Sequence, residues 1–113
     1  MDTARLREHF ETRVRQQIQQ YTEVLQYPRR FAEAVQRDGA TVTSDNLFQE
    51  GMDAGRPRHP AFERAWEAER LDLTVEWLVW AEPRWQPLFG ATKLRYLKLL
   101  AEDLAFQHRR RTS

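Results

Sequence analysis

Cysteine is absent from the 113-residue chain, serine occurs only at Ser44 and Ser113, and lysine only at Lys93 and Lys98. Without cysteine there is no disulfide, no thiolate nucleophile and no thiolate-bound zinc or iron–sulfur centre. A serine nucleophile needs a base within reach, and Ser44 reads instead as a turn or cap residue. The glycines are few and dispersed (Gly39, Gly51, Gly55, Gly90), with no strand pattern before them, so a phosphate-cradling loop is excluded. His9, His59 and His108 fall in three separate segments, preceded three residues earlier by Leu6, Arg56 and Ala105. No Glu-x-x-His pair therefore exists, and neither a metal nor a cofactor is expected. Long apolar runs are also missing. The longest is Trp77 to Ala81, against the roughly 20 residues of a membrane-spanning helix. The first residues, Met1-Asp2-Thr3-Ala4-Arg5-Leu6-Arg7-Glu8, are too charged for a signal-peptide core, so the expected location is cytoplasmic.

What is present argues for a folded chain. Aromatic residues make up 12% of the sequence, enough to outweigh a charged fraction of 31% in deciding against disorder. The length predicts one domain over residues 1–113. A net charge of +1 exerts no global pull towards nucleic acid or an anionic membrane. Its distribution is uneven. Residues 61–82 carry six acids against Arg64 and Arg70, whereas residues 83–113 carry seven bases against Glu102 and Asp103. Two helices that pair electrostatically inside the fold would explain this.

The apolar periodicity predicts an all-α, compact helical bundle of three main helices and one or two short ones. Leu6, Phe10, Val14, Ile18, Tyr21 and Leu25 recur at steps of three and four, one helical face. Pro28 ends or kinks this helix near Tyr27, and the stripe resumes at Phe31 and Val35 until Asp38-Gly39. Residues 40–60, rich in Thr, Asp, Gly and Pro, read as a long irregular loop with one short turn through Leu47 and Phe48. Pro60 opens a central helix in which Phe62, Ala65, Trp66, Leu73, Trp77 and Trp80 mark the buried side. Thr92 opens the last, along Leu94, Leu97, Leu100, Ala101 and Leu104.

Two features could carry binding. Trp77, Trp80, Trp85, Leu88 and Phe89 concentrate apolar bulk, and Trp85, between Arg84 and Gln86 in a Pro-flanked corner, is the ring expected to be exposed. Lys93, Arg95 and Lys98, followed by Arg109, Arg110 and Arg111, form a basic last helix. No catalytic constellation accompanies either. The expected function is a non-catalytic protein-binding module, a regulator, adaptor or accessory subunit whose partner is another protein or a second copy. The alternative is a nucleic-acid-associated subunit using the basic helix. A third reading, an enzyme or ligand binder, needs an inter-helical pocket near Glu69, the acid that falls between Trp66 and Leu73 on the buried stripe.

Overall fold

A computed structural model describes the backbone of residues 2–112 and the side chains of residues 2–104. It is all-helical and compact, with six α-helices and two short 3-10 helices among the described residues: α1 (Thr3–Val24), α2 (Arg29–Asp38), α3 (Ala40–Ala54), α4 (Pro60–Glu67), α5 (Val75–Ala81) and α6 (Ala91–Thr112). The 3-10 segments are Leu71–Leu73, leading into α5, and Pro83–Leu88, leading into α6. No helix among the described residues is long and apolar enough to cross a membrane.

The irregular loop expected at 40–60 is instead the central helix of the bundle. α3 packs against α1, α2, α5 and α6. Its buried residues are Ala40, Thr43, Ser44, Phe48 and Gly51, spaced three, one, four and three apart. That is a helical stripe written in small and hydroxylic residues, so a search for large apolar side chains passes over it. Small residues are what the position demands. The hydroxyl end of Tyr96 from α6 occupies the space that a side chain at residue 51 would take. Only the five residues from Gly55 to His59 remain as loop, closed on the α3 side by Gly55 in the left-handed conformation.

Gly39 joins α2 to α3 alone, at φ 89° and ψ 158°. This region of backbone space is open essentially to glycine only. The turn delivers the first amide of α3, Ala40 N–H, to the Glu11 carboxylate of α1 at 2.6 Å. A side chain from a neighbouring helix thus caps α3, which has no cap of its own. Gly39→Ala is expected to cost about 1–3 kcal/mol through backbone strain, read as a lower urea midpoint at unchanged slope.

The helix expected to run from Pro60 until Glu82-Pro83 breaks. Glu69 adopts φ 58°, and the Arg70 amide reaches back to the Ala65 carbonyl at 2.8 Å. This left-handed stop, usually a glycine's place, turns Glu69 outwards and leaves it exposed. Glu69 is therefore not a buried acid, and a pocket organised around it has lost its basis. α5 restarts with Thr74 as cap, its hydroxyl accepting from the Trp77 amide at 3.2 Å.

The charge blocks meet at their junction, where Arg84 lies 3.6 Å from Glu82, but the closer pairs of the acidic block lie elsewhere. Glu82 binds Arg13 of α1 at 3.0 Å, Asp72 binds Arg70 at 3.0 Å, and Glu76 binds His59 at 2.7 Å. None of these three partners lies on α6.

Candidate functional site

The aromatic corner is core. Trp85 is 1% exposed, its ring 5.4 Å from that of Phe10. Its indole N–H donates to Glu82 at 2.9 Å. Burial disfavours the Glu82 carboxylate, yet hydrogen bonds from Arg13 and Trp85 hold its pKa below the ordinary value. The Arg84 guanidinium lies 4.1 Å above the indole, so the residue expected to leave Trp85 in water instead covers it. Phe89 is also buried, against Phe10 and Phe48. Trp85, expected to be exposed, and Phe89, expected as a partner contact, are both core. Trp77, Trp80 and Leu88 are half-buried.

On the basic helix, Lys93 is tied to Asp45 of α3 at 2.7 Å, whereas Arg95 and Lys98 are exposed. The side chains of Arg109, Arg110 and Arg111 lie outside the described residues, as does that of His108. Among the described residues no group of three side chains is arranged to hold a metal.

A different place gathers polar chemistry. A cleft of about 760 Å³ opens between α2, α3 and α4. Its apolar wall is made by Phe31 and Ala34 of α2 and by Leu47 and Ala54 of α3; Tyr27 stands beside it, 54% exposed. Four arginines border it: Arg29 and Arg30 at the start of α2, Arg58 in the loop and Arg64 on α4. Arg29 is paired with Glu33 at 3.0 Å, and Arg64 sits close enough to Tyr21 to oppose the burial that pushes its phenol pKa up. Arg30 and Arg58 are exposed and have no carboxylate partner among the described residues. Among the described residues Glu50 is the one acid lining the cleft.

His59 lines both this cleft and a void of about 10 Å³ beneath α1. Its Nε2 lies 2.7 Å from Glu76 Oε2, and its Nδ1 accepts from the Phe62 amide at 3.4 Å as the cap of α4. An amide can only donate and a carboxylate accepts, so the partners select the tautomer with hydrogen on Nε2. Glu76 is 3% exposed, and its second oxygen has no hydrogen-bond partner among the described residues, nor has the Tyr96 hydroxyl. Burial, with Glu76 nearby, pushes the Tyr96 phenol well above its ordinary pKa. Burial also disfavours a charged His59, but the Glu76 carboxylate outweighs it, with Glu50 and Glu63 adding to the same effect, and its pKa is raised.

Compared with known proteins, the chain matches no family model, no curated protein and no solved structure. The cleft offers arginine cations, an apolar wall and a buried imidazole–carboxylate pair behind them, which together can bind an anion. Neither His59 nor Glu76 was singled out as a site in the sequence. One signal was available: Glu76 is the only polar residue of the helix Val75–Ala81, otherwise apolar on every side.

Proposed function

We propose that this chain is a non-catalytic protein-binding module that receives an acidic segment of a partner protein in the cleft between α2, α3 and α4. The observation that carries this reading is the pair Arg30 and Arg58, exposed and without carboxylate partners at the rim of an apolar-walled cleft. Arginine forks match carboxylates in geometry, and cations at a concave surface steer an acidic partner as well as hold it. A protein segment suits the wall better than a nucleic acid does. Phe31, Ala34, Leu47 and Ala54 offer contact to an aliphatic side chain, which a nucleic acid lacks.

The test is fluorescence anisotropy with blocked peptides of equal apolar content and acidic, neutral or basic character. The acidic peptide should bind best. Arg30→Glu combined with Arg58→Glu should weaken it about tenfold at low salt, about 1.4 kcal/mol, with helicity unchanged because both side chains are exposed. Equal affinity for all three peptides would refute the proposal. Stronger binding of a single-stranded oligonucleotide, abolished by charge reversal at Arg95 and Lys98, would transfer the function to α6 and nucleic acid.

A further inference from the structure

We propose that His59 is the proton-linked contact of this cleft: the acidic guest binds together with one proton, taken from solvent by His59 Nδ1, and the imidazolium keeps its Nε2–H on Glu76. This inference rests on the reading of the cleft as a site for an acidic segment.

The geometry makes His59 suited to the task. The imidazole lines the cleft and retains 14% exposure, while its counter-ion Glu76 is sealed behind it at 3%. In the neutral ring Nε2–H is committed to Glu76, so only Nδ1 can take up a proton. Doing so ends its acceptor contact with the Phe62 amide, a long one at 3.4 Å. That amide also donates to the His59 carbonyl at 3.1 Å. Releasing Nδ1 therefore leaves the Phe62 amide its carbonyl acceptor at the start of α4, and the new Nδ1–H becomes a donor for which a guest carboxylate is the acceptor.

The surrounding charges set the balance. Glu76 from α5, Glu50 from α3 and Glu63 from α4 favour the cation. The other charged groups lining the same cleft are the arginines of α2, α4 and the 55–59 loop. From α1 and α6 the titratable neighbours are the phenols of Tyr21 and Tyr96, both pushed upwards by burial. A bound carboxylate neutralises the arginines and adds a negative charge beside His59, so the guest shifts the balance towards the cation. Linkage makes the effect reciprocal. The sign follows from the raised pKa. Below about 6.5, the ordinary histidine value, the free protein already carries the proton and affinity is flat. Above the raised value the proton must be taken up on binding, and affinity falls as pH rises, by at most about tenfold per pH unit for one proton.

Isothermal titration with an acetylated, amidated peptide of Asp and Glu residues around one Leu tests this between pH 6 and pH 9, in two buffers of different ionisation enthalpy. Uptake rising towards one proton per peptide, with affinity declining over the same interval, is the expected result. His59→Gln retains an N–H donor for Glu76 but cannot become a cation, and should bind with a pH-independent Kd. The wild-type proton count stands by itself if that variant does not fold. Saturable binding with no proton uptake and a flat Kd would overturn the role of His59 while leaving the cleft intact. No binding at any pH, or binding indifferent to Arg30→Glu with Arg58→Glu, would overturn the cleft reading beneath it.

Discussion

Trp85→Ala is expected to destabilise the fold by about 3–5 kcal/mol, the range for removing a fully buried tryptophan. The ring is enclosed by Phe10 below and the Arg84 guanidinium above, and its indole N–H holds Glu82. Its loss opens a cavity in the main core and removes the indole donor from Glu82, leaving Arg13 on the other oxygen. Domains of ordinary stability have about 5–15 kcal/mol in total, so the variant should be largely or partly unfolded at 37 °C. Urea denaturation followed by circular dichroism reads the effect as a fall in midpoint. Trp85→Phe keeps the ring in the core and gives up only the hydrogen bond, a cost nearer 1 kcal/mol plus some repacking. A Trp85→Ala protein of wild-type stability would place the indole on the surface, contrary to its 1% exposure.

Glu76→Ala should be the second most damaging of the substitutions considered, at about 3 kcal/mol at pH 6. Truncation removes the counter-ion 2.7 Å from His59 and leaves the imidazole N–H buried without its acceptor. The loss should be strongly pH-dependent. His59 has a raised pKa, so the stability its protonation contributes is fully present below about 6.5 and disappears as pH rises through the raised value. Wild type should therefore lose stability on passing above neutrality while Glu76→Ala does not. A double-mutant cycle with His59→Ala isolates the pair: Glu76→Ala should cost far less once the imidazole is gone. Equal costs in both backgrounds would mean that the two groups stabilise the fold independently.

How much of this was legible in the sequence varies from helix to helix. In α1 the step of four through Leu6, Phe10 and Val14 leads directly to buried residues, because large aliphatic and aromatic side chains advertise their face. Even there the stripe drifts. Gln17, not Ile18, is the buried residue of the next turn, donating to the Thr74 carbonyl at 3.1 Å. α3 was illegible for the complementary reason. Its buried face is Ala40, Thr43, Ser44 and Gly51 around a single Phe48, and the weak helix preference of Thr43, Ser44 and Gly51 is overridden by packing against four other helices. The corner at Trp85 misled because its charged and polar neighbours implied solvent, whereas a 3-10 turn directs the ring inwards and folds Arg84 over it.

The candidate site depends on the part of the chain that was hardest to read. With 40–54 taken as loop there is no α3 wall, and hence no cleft facing Arg30 and Arg58. The buried stripe does hold an acid, but it is Glu76 and not Glu69. The left-handed turn at Glu69 resets the helical phase, and Glu76, seven residues further on, becomes the buried acid. Its partner His59 sits immediately before Pro60, where a side chain caps the helix that the proline opens.

The most direct test of the acidic-segment cleft is a ¹⁵N–¹H NMR titration of the intact chain with the blocked acidic peptide at low salt. The amides of Arg30, Phe31, Leu47, Arg58 and Ala61 should shift together, saturably and with one Kd, while those of Arg95 and Lys98 on α6 stay in place. Shifts confined to α6, or centred on the half-buried Trp77 with the cleft unmoved, would contradict the account and locate the binding surface elsewhere.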